Sequence, residues 1–399
     1  MGADLLSGGA RDWSRKINLT PFPLFIAAAL LTIAACSARP PAPSPSTPVE
    51  QPAAPPVPAA EPPAESTIPP DATVAPRATT LTIAAAGDIM LGTDFPKNIL
   101  PDDDGVGFLA EVTPILAAAG IAFGNLEGVL MDGGEPVKEC KDASVCHLFR
   151  SPTRYAQHLA AAGFDVMSLA NNHAHDFGEE GRTSGMLALE SVGIRHSGRE
   201  GDVASWEVAG LRVALIAFAP NIGAHALNDY AHAAALVAEL AGRHDLVLVS
   251  FHGGAEGVDA ATLPFAEETY HGEARGNVVA FAHAVVDAGA DLVLGHGPHV
   301  ARALEYYNER LIAYSLGNFA TYYGISVEGT KGLAPLLVAE LDASGRFLRG
   351  RIESMIQVRP GGPRPDPALG AFRTMRMLTE QAFGAGELLF AEDGGFTPP

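Results

Sequence analysis

Short apolar runs alternate with stretches of helical periodicity up to about residue 294, and the pattern changes after Val300. The first part predicts strands at 81–86, 121–123, 166–169, 211–218, 246–251 and 291–294, and helices at 107–119, 151–163, 179–192, 231–241 and 277–288. The later part predicts hairpin strands at 303–307, 311–315, 336–341 and 346–358. Together these elements predict an α/β fold in which a layered mixed β-sheet, or sandwich, is flanked by helices.

Five polar motifs interrupt the apolar runs where the predicted strands end. They are Gly87-Asp88-Ile89-Met90, Asn125-Leu126-Glu127-Gly128, Asn171-Asn172-His173-Ala174-His175-Asp176, His252-Gly253-Gly254-Ala255-Glu256 and Gly295-His296-Gly297-Pro298-His299. Carboxylate, amide and imidazole groups are the ligands of divalent metals, and α/β sheets gather their ligands at the carboxyl ends of strands. Five such motifs in succession predict a metal centre.

Six of these side chains are the predicted metal ligands: Asp88, Glu127, Asn172, His252, His296 and His299. A carboxylate such as Glu127 could bridge two ions, which would clamp a phosphoryl or acyl oxygen and generate hydroxide near neutral pH. Neutral imidazole favours Mn, Fe or Zn. Each position also has a structural interpretation: a turn or helix cap for Asp88, a cap for Glu127, and one structural and one exposed ring for the last two histidines.

His173 and Asp176 are the predicted catalytic pair. An imidazole beside the ligand Asn172 could act as a general acid on a leaving group, and Asp176, three residues on, could orient the ring. Supporting positions are predicted for Asn125, for Glu256 beside His252, and for Asn318, whose segment forms either a wall of the site or a plain turn.

The first eighty residues do not resemble a folded core. Arg11, Arg15 and Lys16 precede an apolar run at 24–35, which has the length of a signal-peptide core and is too short to span a bilayer. The junction before Cys36 resembles a bacterial lipobox, so we predict a lipoprotein signal peptide at 1–36; an ordinary signal peptide and an uncleaved anchor are the alternatives. Residues 37–79 are rich in Pro and Ala, which predicts a disordered tether.

Two further cysteines, Cys140 and Cys146, stand six positions apart in sequence. In an exported protein they are expected to pair as a disulfide, with two free thiols as the alternative.

The charge of the chain limits the partners that it can bind. The net charge is −20, and no cluster of Lys and Arg is present to hold a phosphate backbone. Nucleic acid is therefore not an expected partner.

In order and spacing, these motifs resemble those of the CapA family, named for capsule and poly-γ-glutamate synthesis proteins, in the calcineurin-like metallophosphoesterase superfamily. The resemblance extends over about 81–358 and includes Gly289-Ala290-Asp291 and Tyr314-Ser315-Leu316-Gly317-Asn318-Phe319. It implies a metallophosphoesterase-like domain at 80–358. The remaining segment is rich in Pro and Gly, which predicts an extension at 359–399 with one surface helix at 368–383. Met90 stands where the superfamily usually has a histidine, which implies that one of two ions is weakly held or absent.

Two functions remain open at this point. The first is a metal-dependent hydrolase of a phosphoester or an amide-linked acidic polymer, lipid-anchored to the cell envelope. The second is a non-catalytic polymer-anchoring or export component whose metal site is structural or vestigial. In either case the expected partners are an extracellular anionic polymer or its synthesis and export machinery, and the membrane through the lipid anchor.

Overall fold

The structure is a computed structural model that describes residues 79–138 and 146–399. The predicted signal peptide, Cys36, nearly all of the tether and Cys140 lie outside the described residues. Within the described ranges, no helix is both long and apolar enough to cross a membrane.

The larger sheet has ten strands in the described residues and mixes parallel and antiparallel pairs. Eight of them follow one another across the sheet in the order β20 (Leu389–Phe390), β21 (Gly395–Thr397), β18 (Phe347–Gln357), β17 (Leu333–Asp342), β1 (Thr80–Met90), β2 (Ile121–Leu126), β5 (Val166–Ser168) and β6 (Arg195–Ser197). Two more pair at the side, β16 (Asn318–Thr321) with β1 and β19 (Pro363–Pro365) with β18. From β1 to β6 the strands are parallel, so their carboxyl ends lie at one edge.

The second sheet has seven strands in the part of the chain that the structure describes, with a parallel centre made by the consecutive βα units. Its order is β14 (Leu304–Tyr307), β15 (Arg310–Ala313), β13 (Leu292–His296), β10 (Leu246–His252), β8 (Leu211–Ala219) and β7 (Ala204–Val208), with β9 (His225–Ala226) beside β8. Two short pairs complete the strands: β3 (Val129–Leu130) with β4 (Arg150–Ser151), and β11 (Glu268–Tyr270) with β12 (Glu273–Gly276).

In the described residues, six α-helices pack around the two sheets: α1 (Thr113–Ala118), α2 (Ala156–Ala162), α3 (Gly178–Ser191), α4 (Tyr230–Ala241), α5 (Val278–Asp287) and α6 (Gly370–Phe383). Successive strand residues point to opposite faces, and this alternation builds the layers. In β1, Ile83 enters a core shared by the two sheets, whereas Ala84 packs in the core under α1, α2 and α3. In β8, Leu215 enters the shared core and Ile216 faces α4 and α5. The predicted α/β fold, a mixed sheet sandwich flanked by helices, is confirmed.

The C-terminal segment differs from the predicted extension because it is joined to the sandwich. Strands β19 and β21 pair with β18, and α6 buries one face rather than lying on the surface. Phe372 and Met375 of α6 enter the shared core, and Leu378 enters the core beside α5. The helix is amphipathic, with its other face exposed, which explains why its polar residues suggested a surface position.

Candidate metal centre

Strand β1 delivers Asp88 to a site between the two sheets. The pairing register of β1 shifts at this residue against both β2 and β16, which bends the strand end. The backbone of Asp88 donates to the carbonyl of Gly317 over 2.8 Å. A Cβ on the preceding Gly87 would lie 2.0 Å from the same carbonyl oxygen. Glycine is therefore required for the close approach that positions Asp88.

Asp88, Glu127 and His299 form a compact set of donors, with one atom from each within 4.8 Å of the others. His299 Nδ1 lies 3.1 Å from Asp88 Oδ2, and its Nε2 lies 3.5 Å from Glu127 Oε1. His296 Nδ1 lies 3.4 Å from Asp88 Oδ1. His299 adopts a left-handed backbone with φ of 58°. Such a conformation costs about 1–3 kcal/mol in a non-glycine residue and is typical of functional sites.

Several donor atoms here are buried without a hydrogen-bond partner: both carboxylate oxygens of Glu127, Oδ1 of Asn172, and both ring nitrogens of His252 and His296. His252 and His296 are fully buried and stand opposite each other in the register of β10 and β13. An unsatisfied buried polar group costs about 1–3 kcal/mol. A divalent cation would satisfy this mixture of carboxylate, amide and imidazole donors, so the residues present fit a metal site.

Burial and the neighbouring charges shift the pKa values of the groups in this cluster. Burial raises the pKa of Glu127 to about 8, and the nearby Asp88 and Glu256 add to that rise. Burial alone would raise the pKa of Asp88, but His296 and His299 outweigh it and hold the value below its usual range. Burial alone would lower the pKa of His299, yet Glu127 and Asp88 raise it to about 10. A bound cation would supply the positive charge that His299 otherwise provides.

His252 is a neutral imidazole in this environment. Burial lowers its pKa well below 6.5, and Asp88 only partly offsets this effect. Neutral imidazole is the form that binds metals, because each ring nitrogen that lacks a proton offers a lone pair.

His173 and Asp176 form a hydrogen-bonded dyad, with Nδ1 of the ring 2.8 Å from Oδ2 of the carboxylate. The carboxylate also accepts from the backbone of Phe149 over 3.0 Å and pairs with Lys138 Nζ at 3.0 Å. The Phe149 ring lies against the imidazole, with 4.2 Å between ring centroids. Burial lowers the pKa of His173 against the opposing effect of Asp176. Because Nδ1 is held by the carboxylate, Nε2 is the nitrogen left to exchange a proton with a ligand.

Asn125 and Asn171 join the dyad to the metal cluster. Asn125 donates to Asp88 Oδ1 over 2.9 Å, and Asn171 donates to the carbonyl of Leu126 over 2.8 Å. Asn171 Oδ1 accepts from the backbone of His173 over 3.1 Å. No role was predicted for Asn171. Its position directly before Asn172 and His173 is the feature of the sequence that could have indicated one. Asn318 lies at the other side, with its Oδ1 3.0 Å from His299 Nδ1.

Glu256 was predicted to support His252, and in the structure it lies near His299 and Arg275. Its Oε2 is 3.8 Å from His299 Nε2, and its Oε1 is 3.0 Å from Arg275 Nη2. Arg275 was not predicted, because nothing in its local sequence marks it. Its charge lowers the pKa values of Glu127 and His252.

Met90 is buried beside Phe149 and Ile325, and its sulfur accepts from the backbone of Gly92 over 3.3 Å. A thioether is a soft ligand, so it is not suited to a metal ion that is bound by the hard oxygen donors of this cluster.

Cys146 is disulfide-bonded. Since Cys140 lies outside the described residues, the pairing of Cys140 with Cys146 remains a prediction.

Comparison with known proteins identifies the family. The model of the family described as bacterial capsule synthesis protein PGA_cap matches residues 82–323. The chain belongs to this family. The motifs at the strand ends all fall within the matched residues.

Two named relatives agree with this assignment. The capsule biosynthesis protein CapA of Bacillus anthracis is 27% identical over 321 residues, which covers 75% of this chain and 73% of the relative. The PGA biosynthesis protein CapA of Bacillus subtilis (strain 168) is 28% identical over 259 residues, covering 60% of this chain and 63% of the relative. The resemblance to the CapA family is confirmed.

Among solved structures, the 5'-nucleotidase precursor from Thermus thermophilus is 16% identical, with a TM-score of 0.38. The match covers 75% of this chain and 57% of the chain of the nucleotidase precursor. A likeness at this level carries no argument about the site.

Proposed function

We propose that this capsule synthesis family member is a metal-dependent hydrolase that cleaves a phosphoester or an amide bond during synthesis, export or processing of a poly-γ-glutamate-type polymer. The observation that carries the proposal is the set of buried donor atoms without a hydrogen bond on Glu127, His252 and His296 beside the His173–Asp176 dyad. A purely structural core would bury apolar groups or paired polar groups at these positions.

Asp88, Glu127, Asn172, His252, His296 and His299 would hold the metal ions, which we propose to be two ions of Mn, Fe or Zn. When bound, such ions act as Lewis acids on the scissile group and lower the pKa of a water nucleophile. The second ion would be held more weakly, because Met90 offers sulfur where the superfamily usually has imidazole.

His173 would act as the general acid for the leaving group. Asp176 fixes the ring through Nδ1, and the ring of Phe149 limits its rotation. Lys138 keeps Asp176 ionised, because its ammonium pairs with the carboxylate and helps to lower the pKa of Asp176 against the effect of burial. Nε2 of the protonated ring is thereby directed to give its proton to a departing oxygen or nitrogen, and the ring regains a proton from the water that attacks the scissile group.

Metal-dependent turnover tests the proposal. The full chain is stripped with a chelator, reloaded separately with Mn, Fe or Zn, and assayed on a chromogenic phosphodiester and on poly-γ-glutamate. We expect turnover of one of the two substrates to disappear on stripping and to return on reloading. A folded, fully metal-loaded chain that cleaves neither would contradict the proposal.

The position of Met90 favours a second candidate, a non-catalytic component that anchors or exports polymer and keeps a structural metal site. Its side chain packs with Phe149 and Ile325, as a core residue does. This candidate predicts metal and polymer binding without turnover, and a deletion phenotype that the His173→Ala variant does not reproduce.

We also propose that the chain is exported and lipid-anchored to the cell envelope through Cys36, where it meets the anionic polymer or its export machinery. The basis is the apolar run at 24–35 that ends at this cysteine. A Cys36→Ser variant should leave the membrane fraction on cell fractionation. Retention in the membrane fraction would contradict lipid anchoring at this residue.

A further inference from the structure

Arg275 lies buried beside the metal centre with part of its guanidinium group unpaired. Its side chain is only 3% exposed. Nε donates to Glu273 Oε2 over 3.2 Å, and Nη2 lies 3.0 Å from Glu256 Oε1. Nη1 is buried and has no hydrogen-bond partner. A charged donor in such a position is expensive to leave unsatisfied, so it indicates a ligand.

The surroundings of Arg275 connect it to the proposed ligands. Its carbonyl accepts from the backbone of Gly254 over 2.8 Å, two residues after His252. Glu256, which Arg275 holds through Nη2, lies 3.8 Å from His299 Nε2. The guanidinium carbon lies 5.5 Å from the centre of the Tyr270 ring, which restricts the orientation of the group.

Arg302 shows that this part of the fold can satisfy a buried arginine. Its Nε donates to the carbonyl of Ala260 over 2.7 Å, and Nη1 and Nη2 donate to Glu268 over 2.9 and 2.7 Å. All three nitrogens of Arg302 are thus paired within the protein. The unpaired Nη1 of Arg275 is therefore not a general consequence of burying arginine in this region.

We propose that Nη1 of Arg275 binds an oxyanion of the substrate, either a phosphoryl or a carboxylate group, next to the metal ligands. The inference rests on the proposed function and names the substrate class as anionic. A planar guanidinium suits either oxyanion, because its parallel N–H groups match two oxygens. The chain has a net charge of −20. Capture of an anion therefore depends on local positive charge.

Binding of two probes to the Mn²⁺-loaded full chain tests the inference without requiring turnover. Isothermal titration calorimetry is performed with inorganic phosphate and with glutarate on wild type, Arg275→Gln, and the double variant Arg275→Gln/Glu256→Gln. The double variant also removes Glu256, which is the more buried of the two carboxylates that pair with Arg275; the other is Glu273. Exposed Arg243, paired only with exposed Glu239 in the described structure, provides the control Arg243→Gln.

We expect Arg275→Gln to weaken binding of at least one probe by about tenfold or more, with Mn²⁺ content unchanged and Arg243→Gln silent. The defect should persist in the double variant, since a ligand contact is lost. Full recovery in the double variant would show that Arg275 only balances Glu256 and would overturn the inference. Unchanged affinity in Arg275→Gln, or no binding of either probe to wild type, would also overturn it.

Arg275→Lys covers the case in which the glutamine variants do not fold. It keeps the charge beside Glu256 but removes the planar fork, so binding should still weaken; wild-type affinity in this variant would overturn the inference. Preference for phosphate or for glutarate identifies the source of the oxyanion. Arg275-dependent binding without turnover would contradict the hydrolase and keep the anion site, whereas turnover with unchanged affinity in Arg275→Gln would contradict the anion site alone.

Discussion

The imidazole ring of His173 is held by Asp176 and Phe149, neither of which is a predicted metal ligand, so one substitution should separate acid catalysis from metal binding. We expect His173→Ala to reduce turnover by about 10²–10⁴-fold, the usual contribution of a positioned acid, with metal content unchanged. Elemental analysis and turnover are measured on the same sample. The control is His175→Ala, because the side chain of His175 is 35% exposed and contacts Glu179 at 3.6 Å. Wild-type turnover in His173→Ala would remove the proposed role.

At the residue scale, the sequence predicted which side chains carry the chemistry. It did not predict the hydrogen bonds that hold these side chains in place. Asp88, His252 and His296 could be singled out because ligand-type side chains follow apolar runs at strand ends. Arg275 and Asn171 could not be assigned, since their importance depends on hydrogen bonds to residues distant in sequence. The left-handed backbone of His299 is likewise set by the surrounding turn and leaves no mark in composition.

At the element scale, the end of β1 depends on its close approach to the turn before β16. Gly87→Ala would place a methyl group 2.0 Å from the carbonyl oxygen of Gly317, so backbone must move. We expect a loss of about 1–3 kcal/mol in the free energy of unfolding and reduced metal content, because Asp88 is displaced. Urea denaturation and elemental analysis provide the measurements.

The matched control for this substitution is Gly242→Ala, at the end of α4. Its φ is −67°, and an added Cβ would come no closer than 3.5 Å to its neighbours. This variant should retain stability and metal. Equal behaviour of the two alanine variants would contradict the requirement for glycine at residue 87.

A second element-scale prediction concerns His196, which joins β6 to α3. Nδ1 lies 2.8 Å from Asp202 and Nε2 3.1 Å from Glu190. Burial alone would lower the pKa of His196, but these partners outweigh it and raise the pKa above 6.5. The folded protein therefore binds this proton more tightly than the unfolded chain. The resulting stability is present below the unfolded pKa and is lost as pH rises through the folded pKa.

We expect His196→Gln to lower the free energy of unfolding below the unfolded pKa and to reduce its fall with rising pH. Urea denaturation across this range measures both effects, with the exposed His232→Gln as control. An identical pH slope in wild type and His196→Gln would contradict the coupling.

Elements with strong periodicity were predictable, whereas those defined by pairing were not. The predicted helix at 231–241 corresponds to α4 (Tyr230–Ala241), and the predicted strand at 246–251 to β10 (Leu246–His252). By contrast, the predicted helix at 107–119 shortens to α1 (Thr113–Ala118), since turns occupy its first part. The segment that forms β16 (Asn318–Thr321) was predicted as a wall of the site or a turn. Its four residues form a strand only through pairing with the distant β1, which the local sequence does not indicate.

At the scale of the whole domain, the sandwich arrangement creates the site. Asp88 lies in β1 of the larger sheet, and Glu127 directly follows β2 of the same sheet. His252 and His296 are the last residues of β10 and β13 in the other sheet. A core shared by both sheets holds the two sets of strand ends together. The sequence predicted the layers from the change of pattern after Val300, but not the strand order, because pairing between distant segments leaves no local signal.

The C-terminal segment packs into the core shared by the two sheets and into the core beside α5. This packing was not predicted, because contacts between distant segments leave no local signal in the sequence. Leu378 and Met375 have helical spacing, which predicts the helix, but only the structure shows which apolar surfaces receive them. The packing of the sandwich therefore continues past residue 358 and includes α6.

Metal content tests the central claim most directly. Elemental analysis of the full chain, offered Mn, Fe or Zn, is compared with His252→Ala and with His232→Ala, an exposed histidine on α4. We predict about two ions per chain in wild type and in His232→Ala, and loss of metal in His252→Ala, because His252 has no other partner in the described structure for its ring nitrogens. A well-folded wild-type chain that binds none of these metals would contradict the metal centre.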